Sequence, residues 1–65
     1  MYRIGDKIKF ELEDELFDKN VRTVRARIIR AYPRNNALAF DCVDLDNETL
    51  NYTINADEEF LRFDD

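Results

Sequence analysis

Strict alternation of apolar and polar residues runs through most of this chain, and it leaves few folds open. Ile8, Phe10 and Leu12 interleave with Lys7, Lys9, Glu11 and Glu13. Val24, Ala26 and Ile28 interleave with Arg25, Arg27 and Ile29, and Leu38, Phe40 and Cys42 with Ala39, Asp41 and Val43. Leu50, Tyr52 and Ile54 alternate with Thr49, Asn51 and Thr53. A period of two sends successive side chains to opposite faces of a strand, so each stretch reads as a half-buried β-strand. Helical spacing shows only near the C-terminus, and β-branched residues gather in the strand segments.

The intervening residues punctuate these strands. Gly5, the only glycine, forms a turn signal with Asp6 ahead of the first strand. Residues 14–20 read as a polar loop bearing Leu16 and Phe17. The adjacent Ile28 and Ile29 place an apolar residue on each face, the mark of a bulge or a sharp bend. Pro33-Arg34-Asn35-Asn36 carries turn chemistry with proline at the second turn position, and Asp46-Asn47 signals a hairpin. Asn55 with Glu58 resembles a capping box, which predicts a short helical turn near 56–60, followed by a brief closing strand at Leu61-Arg62-Phe63. Five short strands in 65 residues favour a small barrel, because a barrel removes exposed edges. The expectation is one all-β domain spanning 1–65.

Composition supports a packed core and excludes several functions. The chain is 45% apolar with eight aromatic residues, so it can bury a core despite being 38% charged. No apolar run approaches the roughly 20 residues of a membrane-spanning helix. There is no histidine, and Cys42 is the only cysteine, which excludes disulfide frameworks and the common zinc sites. A lone cysteine suits a reducing cytoplasm, the expected location.

The net charge of −5 conceals three blocks. Residues 1–18 carry −3, residues 19–40 carry +6 with no acid at all, and residues 41–65 carry −8. A basic centre lies between acidic ends, so net charge alone does not exclude a local anion site.

The order of elements is familiar. Ile4-Gly5-Asp6-Lys7-Ile8-Lys9-Phe10 resembles the opening of SH3-like barrels, including KOW and Tudor domains. Arg25-Ala26-Arg27-Ile28-Ile29 resembles the second Tudor strand, Cys42-Val43-Asp44-Leu45-Asp46-Asn47 its acidic turn, and Phe60-Leu61-Arg62-Phe63 its closing strand. The resemblance covers nearly the whole chain and implies a five-stranded SH3-like (Tudor-like) barrel. It does not imply methyl-lysine or methyl-arginine reading. A cage needs several aromatic faces around the cation, and only Phe17 matches one; the other positions are Val24, Cys42 and Leu45.

Candidate sites reduce to a few. Asp44, Asp46 and Glu48, with Asp41 further off, cluster around a hairpin, but the loop lacks the glycine and the oxygen count of a calcium loop and reads as a solvated turn. Cys42 lies on the apolar face without a base to activate it and reads as core. No catalytic residue, metal or cofactor is expected. The feature above background is the arginine stripe: Arg25 and Arg27 on one face of the second strand, continued by Ile29, with Tyr32 and Arg34 near its end. Arginines with an interleaved aromatic could hold phosphate and stack a base. Alternatively they pair with acids of neighbouring strands such as Glu11, Glu13, Asp41 and Asp44, at cross-strand distances of about 5 Å. Arginine, tyrosine and carboxylates also suit a protein interface.

Together these readings predict a non-enzymatic binding barrel whose first-ranked partner is a protein, engaged through Phe17, Arg25, Arg27, Ile29, Tyr32, Arg34, Asp44 and Asp46. The short chain begins at its first strand, so it resembles small stand-alone bacterial or phage-encoded regulators that occupy a partner's surface. Nucleic acid ranks second, bound by the same arginines or mimicked by the acids around Asp44 and Asp57-Glu58-Glu59. No membrane partner is expected.

Overall fold

The computed structural model of the chain describes residues 1–14 and 20–64. Five strands follow in order: β1 (Lys7–Asp14), β2 (Asn20–Arg34), β3 (Ala37–Asp44), β4 (Asn51–Asn55) and β5 (Arg62–Phe63). They form one antiparallel sheet in the order β4-β3-β2-β1-β5. Among the described residues no helix is present, and so none long and apolar enough to cross a membrane.

Fifteen residues long, β2 serves two hairpins. Its first part pairs with β1, from Asp14↔Asn20 to Lys7↔Arg27, and its second part pairs with β3, from Ala26↔Asp44 to Arg34↔Ala37. Only Ala26 and Arg27 have partners on both sides. The register shifts between Ile28 and Arg30, leaving Ile29 as the extra residue of a bulge, where the doubled isoleucine predicted one. A bulge bends and twists the strand, so the two hairpins turn towards each other.

The resulting curl can be measured across the core. Strands lie about 4.8 Å apart, so in a flat sheet β1 and β4 would be about 14 Å apart. The rings of Phe10 on β1 and Tyr52 on β4 meet edge to face at 5.7 Å. Tyr2, ahead of β1, likewise touches Phe40 of β3 at 5.9 Å and Phe63 of β5 at 4.6 Å, and its hydroxyl donates to the Leu61 carbonyl at 3.0 Å. The inner face closes over Ile8, Phe10, Val24, Ala26, Ile28, Phe40, Cys42 and Leu61. All but Leu61 are alternating apolar positions, so the periodicity located most of the core directly.

The curl is not a closed barrel. β5 is two residues long and pairs only with β1, and β4 stands at the opposite edge of the sheet, so the two edges do not meet. The helical turn anticipated near 56–60 is also absent. The chain makes two separate turns instead, with Glu58 N–H donating to the Asn55 carbonyl and Leu61 N–H to the Glu58 carbonyl, each at 3.1 Å. A helix needs overlapping bonds along successive residues. Here Asn55 still belongs to β4, and the chain must return Leu61 to the core within six residues.

Local turn chemistry departs from expectation at one more place. Pro33 and Arg34 lie within β2, and the turn is Asn35-Asn36 alone, with φ of 49° and 64°. Both values are left-handed, as a two-residue hairpin matching the strand twist requires, and asparagine tolerates them. Such a loop makes Arg34↔Ala37 the hydrogen-bonded pair, so the nitrogen of Pro33 faces away from β3. β1 no longer flanks β2 there, and proline's missing donor leaves no gap in the ladder. Gly5 behaves as expected: its φ of 97° serves a turn in which Asp6 N–H bonds the Arg3 carbonyl at 3.0 Å and the Asp6 carboxylate accepts from Arg3 N–H at 2.8 Å.

Candidate binding face

The bulge reorganises the arginine stripe. Alternation alone would place Arg25 and Arg27 on one face of β2 and the even-numbered Tyr32 and Arg34 on the other. Ile29 shifts the phase by one. Arg27 lies opposite Val43, while Arg30 and Tyr32 lie opposite Asp41 and Ala39, and all three β3 residues share the outer face. Arg25, Arg27, Arg30, Tyr32 and Arg34 therefore project from a single outer surface, with Ile29 48% exposed between the two groups.

At the Tyr32 end the charges are matched internally. The Tyr32 hydroxyl donates to Asp41 at 2.9 Å, Thr53 Oγ1 donates to it at 2.8 Å, and Arg30 pairs with it at 3.1 Å. The hydrogen bonds from Thr53 and Tyr32, reinforced by Arg30, hold the Asp41 carboxyl below its usual range. The Arg30 guanidinium lies 5.1 Å from the centre of the Tyr32 ring and covers part of it. A β2 arginine and a β3 acid thus pair here, but through Arg30, which lay outside the expected stripe.

At the other end the bases face bases. Lys7 lies directly opposite Arg27, and Lys9 opposite Arg25 on one side and Arg62 on the other. Among the described residues two carboxylates form ion pairs in this area. Asp64 takes the Arg25 Nε–H at 2.9 Å, and Glu11 accepts from Arg62 at 2.8 Å and from Thr23 Oγ1 at 2.8 Å. Its bond to Arg62, then that to Thr23, holds the Glu11 carboxyl low, while Asp64 raises the pKa of Arg25. Arg25 therefore pairs beyond β1 with Asp64, a partner that no alternation pattern points to. Arg27 donates to the Gly5 carbonyl at 2.9 Å. Among the described residues, no carboxylate forms an ion pair with Lys7, Lys9 or Arg27.

Beside this cationic area runs a groove of about 560 Å³ lined by Arg27, Ile29, Val43, Asp44, Leu45 and Glu48. Leu45 extends the β2–β3 ladder, its N–H bonding the Arg25 carbonyl at 2.9 Å, so Leu45 and Val43 fall on the same outer face as the arginines. A second cleft of about 620 Å³ opens between β1 and β4, over Phe10, Leu12, Tyr52 and Ile54.

The acids around the β3–β4 loop divide. Asp44 is not the solvated residue expected: it lies on the inner face and is 8% exposed. Its carboxylate accepts from the Tyr52 hydroxyl at 2.8 Å and from the backbone N–H groups of Asp46 and Asn47 at 2.7 and 3.1 Å. These bonds, led by that from Tyr52, hold its carboxyl low, while burial and Asp44 push the Tyr52 phenol up. Asp44 is a structural cap for a six-residue loop and lines the groove from beneath. Asp46 is exposed on that loop. No group of three potential metal ligands exists among the described residues. Cys42 is fully buried, and burial raises its pKa to about 11, so its thiol is protonated at neutral pH. Val24 belongs to the same buried core cluster. Phe17 lies outside the described residues.

Sequence reading missed Lys7, Lys9, Arg62 and Asp64 as parts of this face. The alternation gives the outward phase of each, but only the pairing register sets them opposite the arginines. Comparison with protein-family models, curated proteins and solved structures returned no match to this chain.

Proposed function

We propose that this chain is a protein-binding module that presents the outer face of an SH3-like partial barrel to its partner. The strand order β4-β3-β2-β1-β5, a long bulged β2 shared by two hairpins, and rings meeting across the inner face support the barrel reading. The observation that carries the binding reading is the bulge: it exposes Ile29 over a groove with Val43 and Leu45, rimmed by Arg27 and Glu48. An apolar centre with a charged rim, arginine included, is the usual anatomy of a protein interface. A small regulator of bacterial or phage type, working in a reducing cytoplasm where Cys42 stays a thiol, fits this description.

Nucleic acid takes second place on a specific ground. Tyr32, the one aromatic of the stripe, has its hydroxyl bound to Asp41 and its ring partly covered by Arg30, so it is not free to stack a base. The test is capture from nuclease-treated lysate of the encoding cells on immobilised wild-type chain and on Ile29→Asp. A protein retained by the first and lost by the second is the expected result. Recovery of nucleic acid alone, from lysate not treated with nuclease, would overturn the reading.

A further inference from the structure

The outer face of β1, β2 and β5 contains an arrangement that costs the fold stability. Lys7 stands opposite Arg27 and Lys9 opposite Arg25, and like charges directly across an antiparallel pair repel. Arg62 adds a fifth positive charge on the far side of Lys9. Among the described residues Glu11 and Asp64 are the carboxylates that form ion pairs on this face, with Arg62 and Arg25, and neither pairs with Lys7, Lys9 or Arg27.

The seat of Asp64 shows what this surface accepts. Its backbone continues the β5 pairing, with Asp64 N–H donating to the Lys7 carbonyl at 3.0 Å. Its carboxylate meets the Arg25 Nε at 2.9 Å with only 10% of the side chain exposed. A carboxylate carried by an extended segment alongside β1 is thus already held on the cations of β2.

We propose that the partner engaged by this module offers an acidic extended segment, whose carboxylates seat on the Lys7–Lys9–Arg25–Arg27 cations, with Asp64 occupying one of those seats in the free protein. This rests on the protein-binding reading and names the partner's chemistry. Carboxylates of the incoming chain sit between the like charges set opposite each other on β1 and β2, and their repulsion is relieved on binding. A nucleic acid fits less well, because Tyr32, its hydroxyl bound to Asp41 and its ring partly covered by Arg30, is not free to stack a base beside these cations.

Fluorescence anisotropy with three labelled probes tests this: an alternating Glu-Thr octapeptide, its Gln-Thr counterpart, and a single-stranded oligonucleotide. The Glu-Thr peptide is expected to bind and the Gln-Thr peptide not to. Asp64→Asn, which vacates the Arg25 seat, should tighten binding several-fold. Lys7→Glu is the decisive variant, because it places opposite charges across from Arg27. It should raise the urea midpoint while weakening the peptide about tenfold or more, a divergence that a purely structural role for Lys7 does not produce. Equal binding of both peptides, unchanged peptide affinity in Lys7→Glu, or binding of the oligonucleotide alone would each overturn the proposal. If acidic peptides fail while Ile29→Asp still abolishes capture of a protein, the acidic-segment inference falls and the protein-binding reading stands.

Discussion

Asp44 and Tyr52 illustrate how one hydrogen-bonded pair ties stability to pH at both ends of the scale. The Asp44 carboxyl is held below its ordinary value by hydrogen bonds that only the folded chain provides. Its contribution is present above the unfolded pKa and is lost as pH falls through the folded one. The Tyr52 phenol is shifted upward, chiefly by burial, so its contribution is present below the unfolded pKa and is lost as pH rises through the folded one. Glu11 and Asp41, also held low, steepen the acid limb. The urea midpoint is therefore expected to be flat between about pH 5 and 9 and to fall on either side. Measured against pH, Asp44→Asn should flatten the acid limb and Tyr52→Phe the alkaline limb. An unchanged acid limb in Asp44→Asn would show that the other carboxylates account for it.

At the scale of elements, the two hairpins of β2 depend on different devices. The β2–β3 turn needs left-handed backbone at Asn35 and Asn36, which a β-branched residue adopts only with strain. Asn36→Val should cost about 1–2 kcal/mol in urea unfolding, while Asn36→Gly should be tolerated. The strands and the core were legible because the residues of the inner face repeat every second position with few exceptions. Leu38, on the inward phase but 45% exposed, is one; it sits near the hairpin tip where the curled sheet no longer covers it. Which face Tyr32 and Arg34 occupy was not legible from alternation. It depends on one inserted residue, and a doubled isoleucine announces a bulge without stating how the phase resumes. Pairing partners such as Arg25 and Asp64, 39 positions apart, depend on how β5 returns beside β1, which no local pattern encodes.

For the molecule as a whole, the single core makes Cys42 a reporter of cooperative opening. Its thiol is fully buried and its pKa is pushed up to about 11, so reagent must wait for the sheet to open. Labelling by a thiol reagent at neutral pH should be slow and should accelerate with urea in step with global unfolding; rapid labelling in native buffer would mean that the two halves of the sheet separate independently. The same architecture has a mechanical consequence. β5 runs antiparallel to β1, so the chain enters and leaves the sheet at the same end, where Asp64 bonds Lys7 and Tyr2 bonds Leu61. A load drawn between the two chain ends would not shear the strands past each other. It would peel β5 from β1 one bond at a time, and the longest-range pairing in the molecule would be the first to yield.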